Sequence, residues 1–146
     1  AVDYLVAMCS CGLHIGDLNQ LQESDIRYQS GKRYINKPRG KTKLNFFCTM
    51  ENYSGFVMGD LTGKYASNGL LFPYFYKLNN ILKVLQPLLN LPEPVTAKTG
   101  RRTFCTLHLE SGTEITKLSQ LMATSPEHIR KHYIDNTAAG LLAVTK

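Results

Sequence analysis

Residues 95–134, VTAKTGRRTFCTLHLESGTEITKLSQLMATSPEHIRKHYI, carry the pattern that decides the fold. A helix is predicted to begin at 98–100 and run to 110. Phe104, Leu107 and Leu109 give it an apolar stripe, Gly112 stops it, and Arg101 and Arg102 sit in its first turn. Ile115, Leu118, Leu121 and Met122 mark a second helix at three- and four-residue spacing. Ser125-Pro126-Glu127 then combines an N-cap, a first-turn proline and an early acid, which opens a third helix ending at Tyr133. Basic amphipathic helices of this kind occur in many small proteins, so the remainder of the chain decides their meaning.

Upstream, Val2, Leu5, Val6 and Met8 predict a helix broken by Gly12, and Ile15, Leu18 and Leu21 continue the periodicity. Ser30-Gly31 punctuates the chain. Residues 32–38 and 44–50 read as strands around the polar turn Arg39-Gly40-Lys41-Thr42-Lys43, a basic hairpin whose charges would also suit an exposed sheet edge. Residues 51–68 hold Gly55, Gly59 and Gly63, which argues for short turns rather than one long element. From 73 to 90, Phe75, Leu78, Leu82, Leu85 and Leu89 predict a single amphipathic helix with Pro73 in its first turn. Residues 136–146 form a small apolar tail, too short to be stable as an isolated helix, that is expected to dock on something.

The chain has 146 residues, 43% of them hydrophobic, which suits one domain with a real core. A net charge of +6, from 17 basic and 11 acidic residues, favours a polyanionic partner such as nucleic acid. The sequence lacks an apolar run of about eighteen residues and a charged-then-apolar leader, so a cytoplasmic protein with no membrane partner is expected. Cys9, Cys11, Cys48 and Cys105 lack metal-site spacing and read as free thiols. The chain begins at Ala1, already inside an apolar helical pattern, which suggests a fragment of a longer protein.

Taken in order, CGLHIGDLNQLQESDI, RGKTKLNFF, LLFPYFYKLNNILKVL, TGRRTFCTLHLESGTEITKLSQLM and Tyr133 resemble the catalytic domain of tyrosine recombinases of the phage-integrase type. The resemblance spans roughly residues 4–134 and looks closest to integrases of Bacteroides-type mobile elements. It implies a mainly α fold with a small antiparallel β-sheet or hairpin, with an upstream core-binding domain lying outside this sequence. It also implies double-stranded DNA as substrate, a homo-oligomer (a tetramer on DNA) in the full-length protein, no cofactor, no metal and no small-molecule substrate. The compartment it implies is the bacterial cytoplasm, in association with the nucleoid.

Carried over residue by residue, the resemblance makes Tyr133 the nucleophile that forms a 3′-phosphotyrosyl link, and Arg101 a phosphate-binding arginine. The hairpin lysine that protonates the leaving oxygen is Lys41 or, with a shifted alignment, Lys43. Arginine suits the phosphate because its rigid fork gives two parallel charge-assisted bonds. Three expected residues are replaced: the first arginine by His14, the histidine three before Arg101 by Lys98, and the late histidine by Thr124. Asp17, one turn from His14, keeps the family's acid and is expected to favour a charged imidazolium. His108, His128 and His132 match no motif position and read as surface or packing residues. Arg39, Lys43, Arg102, Arg130 and Lys131, with Lys37, read as a phosphate-tracking surface giving affinity without base specificity. Two functional readings follow: a DNA-cleaving and rejoining enzyme with weakened machinery, or a catalytically impaired DNA-binding paralogue with a regulatory or structural role.

Overall fold

The computed structural model describes residues 1–50 and 53–134. Helix α1 (Val2–Cys11) ends where the sequence places its glycine: Gly12 adopts φ 70° and donates its N–H to the Met8 carbonyl at 2.9 Å. Helix α2 (Ile15–Leu18) is one turn long, with Asp17 inside it and His14 as its N-cap. A 3-10 turn at Glu23–Asp25 leads into an antiparallel sheet of β1 (Ile26–Gln29), β2 (Lys32–Pro38) and β3 (Asn45–Thr49), in that order.

The β2–β3 hairpin follows the predicted one, with Ile35 opposite Cys48 and Pro38 opposite Asn45. Ile35, Phe46 and Cys48 face the core, as period-two alternation requires. Strand β1 is an addition to the expected hairpin. It is an edge strand with three of four residues exposed, so its sequence carries little apolar alternation. Ser30 and Gly31, at φ 52° and 75°, join it to β2 in a two-residue turn.

Two sequence expectations are corrected. Within the stretch read as short turns, α3 (Tyr53–Tyr65) is one continuous helix of 13 residues. Gly59 shows why a glycine belongs there: a Cβ would lie 3.0 Å from the Met50 carbonyl oxygen, so the glycine lets α3 approach the end of β3. Conversely, residues 73–90 do not form one long helix. The chain stays irregular to Lys77, which takes φ 58°, and then makes α4 (Leu78–Lys83) and α5 (Leu85–Leu88) with a break at Val84. Pro87 explains the break, because it lacks the N–H that would bond back to Lys83 in a continuous helix.

The decisive stretch folds as read: α6 (Ala97–Glu110), α7 (Ile115–Met122) and α8 (Pro126–His132). Asn79 Oδ1 on α4 accepts from the Ala97 N–H at 2.8 Å, and Ser125 Oγ accepts from the His128 N–H at 3.1 Å, so the starts of α6 and α8 are both capped. The apolar tail at 136–146 lies outside the described residues. The main core joins α1, α2, the sheet, α3 and α4 through side chains such as Met8, Leu18, Ile35, Phe46 and Leu82. A smaller one joins α6, α7 and α8 through Phe104, Cys105, Leu118, Met122 and Ile129.

Candidate active site

Gly100 builds the site. A Cβ there would meet Met8 Cβ at 2.5 Å, so only glycine allows α6 to pack this closely on α1. The next residue, Arg101, is thereby driven into the interior and is 1% exposed. Its guanidinium donates to the Gly12 carbonyl just past the end of α1 and, at 3.0 Å, to the Met122 carbonyl at the end of α7. Both are carboxyl ends of helices, whose partial negative charge suits a cation. Its Nε donates to the Tyr133 hydroxyl oxygen at 3.2 Å, across 32 residues of sequence. Among the described residues no carboxylate pairs with Arg101. Burial, followed by the charge of Arg39, pulls its pKa below the ordinary arginine value, yet a guanidinium stays protonated at neutral pH.

Tyr133 caps the carboxyl end of α8 and is partly exposed, with its hydroxyl held by Arg101 Nε.

His14 occupies the start of α2 nearby, but the expected imidazolium is not formed. Burial first, and then the charges of Arg101 and Arg39, lower its pKa from 6.5 to about 4, outweighing the opposing pull of Asp17. The Asp17 carboxylate is committed elsewhere, accepting from Arg39 Nε and from the Gly40 N–H, both at 3.0 Å. Arg39 is the residue whose surroundings the sequence does not reveal. Grouped by charge with the surface lysines, it is in fact 4% exposed, and one of its terminal nitrogens lies 3.4 Å from the Ala123 carbonyl. Thr42 Oγ1 donates to that carbonyl at 3.0 Å, which ties the hairpin turn to the end of α7.

Lys41 and Lys43 are both exposed. The charge of Lys41 is among the lesser causes that lower the pKa values of His14 and His128. Lys98 is exposed and, with Pro92, Glu93, Pro94 and Arg102, lines an open cavity of about 390 Å³ at the start of α6. Thr124 is partly buried and donates its backbone N–H to the Ser119 carbonyl at 3.0 Å. Arg102, Arg130 and Lys131 are exposed, Arg130 lying 3.7 Å from Glu127. Lys37 instead pairs with Asp25 at 2.7 Å. His128 packs against His132 and edge-on to the Tyr133 ring, with centroids 4.4 and 5.7 Å apart, while His108 packs on Phe104.

The four cysteines are free. Burial pushes Cys11 up to about 12 and Cys105 up to about 11, so neither is a thiolate nucleophile at neutral pH. Among the described residues no group of His, Cys, Asp or Glu is arranged to hold a metal ion, and no helix is long and apolar enough to cross a membrane.

No family model matches the sequence, and no curated protein matches it. Solved structures match closely in shape. The XerA recombinase superposes with a TM-score of 0.70 at 22% identity, covering 94% of this chain and 53% of its own. The XerH site-specific recombinase bound to palindromic difH substrate, a post-cleavage complex, gives 0.71 at 18% identity over 97% and 44%. The Tn1549 transposon integrase in complex with circular intermediate DNA gives 0.63 at 16% identity over 99% and 56%. The present chain thus has the fold of a tyrosine recombinase catalytic domain and spans about half the length of these chains.

Proposed function

We propose that this chain is the catalytic domain of a tyrosine recombinase that cleaves double-stranded DNA through Tyr133 and rejoins it to a new partner strand. One observation supports this above the others: Arg101, a buried cation with no carboxylate partner among the described residues, donates to the Tyr133 hydroxyl at 3.2 Å. A buried unpaired charge is costly unless a ligand completes it, and a phosphodiester beside Tyr133 would do so.

In this reading the Tyr133 oxygen attacks phosphorus in line. The bond from phosphorus to the 5′ oxygen breaks, and the DNA 3′ end remains on the tyrosine as a phosphotyrosyl ester. Lys41 gives a proton to the departing 5′ oxygen; its charge acts on His14 and His128, which favours it over Lys43. The phenol proton leaves to bulk water or to the neutral His14 imidazole; a protonated Lys98 cannot accept it. Arg101 meets the negative charge that grows on the non-bridging oxygens. Attack by a 5′-hydroxyl of another strand reverses these steps, so bond energy is conserved and no cofactor is required. The exposed Lys43, Arg102, Arg130 and Lys131 hold the DNA backbone. The sequence resemblance supports service to a mobile element of the Bacteroides type, with an upstream core-binding domain and a tetramer on DNA in the bacterial cytoplasm.

The test is covalent capture. Incubation with a library of nicked duplexes of randomised sequence should give an adduct stable to denaturation, recoverable for sequencing, and absent from Tyr133→Phe. An adduct that survives in Tyr133→Phe, or none from the unaltered chain, refutes the assignment. A binding-only paralogue is the second reading, favoured by the uncharged His14 and by Lys98 lining a separate cavity. It predicts DNA binding with a steep salt dependence but no adduct, even after His14→Arg and Lys98→His are introduced together.

A further inference from the structure

We infer that Arg39, delivered by the β2–β3 turn, is a catalytic residue that supplies the second phosphate-binding guanidinium missing at His14; this rests on the recombinase reading above.

The geometry behind it is the clamp between two elements. His14 is the N-cap of α2 and Asp17 lies within its single turn, and the Asp17 carboxylate holds both Arg39 Nε and the Gly40 N–H at 3.0 Å. The start of the hairpin turn is therefore fixed against the helix that carries His14. Arg39 and Arg101 then bond consecutive carbonyls at the end of α7, Ala123 at 3.4 Å and Met122 at 3.0 Å, which sets the two guanidiniums side by side. Ala123 makes this arrangement: its φ of 49° turns the chain so that neighbouring carbonyls serve both cations.

A purely structural ion pair accounts for less of this. Pairing Arg39 with Asp17 would need neither the approach of a second buried cation nor the repulsion that follows from it. Two buried guanidiniums against one hydrogen-bonded carboxylate leave a surplus of positive charge, with Lys41 adding to it from the turn. The second terminal nitrogen of Arg39 has no partner among the described residues. A bound phosphodiester would neutralise the surplus and take that free donor. Asp17 then acts as a positioning residue, holding Arg39 through Nε while its fork faces the anion.

The experiment uses the DNA selected by covalent capture and compares single-turnover adduct formation by the unaltered chain, Arg39→Ala, Arg39→Lys, and Arg39→Ala combined with His14→Arg. Urea unfolding and salt-dependent DNA binding are measured on each. Arg39→Ala should slow adduct formation by about 10² or more while DNA affinity changes far less. Arg39→Lys should stay at least about tenfold slow, because an ammonium lacks the fork. The double variant, with arginine returned to the helix, should recover at least about tenfold over Arg39→Ala. If Arg39→Ala unfolds, Arg39→Lys, which can keep an ion pair to Asp17, decides alone. Adduct formation by a folded Arg39 variant within about threefold of the unaltered chain, or a loss that tracks the folded fraction and resists His14→Arg, overturns the inference. Either result leaves the recombinase reading standing, whereas the absence of any adduct from the unaltered chain removes both.

Discussion

A histidine surrounded by arginines behaves unlike one beside a single aspartate, and His14 shows the difference. Its folded pKa of about 4 lies below its ordinary value of 6.5, chiefly through burial and then through Arg101 and Arg39. Between these values the unfolded chain binds a proton that the folded chain does not. The stability contributed by the neutral buried ring is therefore complete above pH 6.5 and is lost as pH falls toward 4. His108 and His128 shift in the same direction, so the prediction is a difference between proteins. Urea midpoints of the unaltered chain should fall more between pH 7 and pH 5 than those of His14→Gln; an equal fall would show that His14 is not buried as a neutral base. The sequence could not disclose this sign, because it places Asp17 three residues from His14 but does not reveal that Arg39 claims the carboxylate.

At the level of elements, glycines that look alike in sequence have opposite roles. Gly100 lies in α6 where a Cβ would collide with Met8, whereas Gly63 lies in α3 with nothing within 4 Å of the same atom. Alanine is favoured over glycine in a helix by about 1 kcal/mol, and overpacking a tight contact costs about 1–3 kcal/mol. Gly63→Ala should thus stabilise the protein by about 0.5–1 kcal/mol. Gly100→Ala should destabilise it by up to about 2 kcal/mol net, toward the upper end because the clash at 2.5 Å involves a Cβ fixed to a helix backbone. Denaturant unfolding of both variants checks the pair; the same sign for both would contradict the packing described. Misreading 51–68 has this same origin, because a glycine that admits a neighbour and a glycine that ends a helix are identical letters. The split of 73–90 was legible in principle: Pro87 interrupts an otherwise regular apolar stripe, and its missing N–H outweighs the periodicity.

For the whole molecule, the two cores meet at a cluster in which buried positive charge exceeds negative charge. An anion that binds only the folded state stabilises it by mass action, worth about 1.4 kcal/mol at ten times its dissociation constant. Inorganic phosphate should accordingly raise the unfolding midpoint beyond what chloride does at equal ionic strength. Arg101→Met should remove that specific gain while keeping the side chain's bulk. If phosphate and chloride act alike on the unaltered chain, the cluster is not an anion site.

By itself the sequence determined the three helices between 97 and 132, with the Gly112 stop of the first and the Ser125 cap of the last, the basic hairpin, the mainly α class, and Arg101 and Tyr133 as candidates. These rest on local periodicity, on capping residues and on motif spacing, which are written in consecutive positions. Only the tertiary structure decided that Arg101 and Tyr133 touch, that His14 is neutral, that Lys98 lines a separate cavity, and that Arg39 is buried beside Arg101. Burial and charge compensation depend on residues up to 84 positions apart, as Arg39 and Ala123 are, and no local pattern records which partner a charged side chain will find.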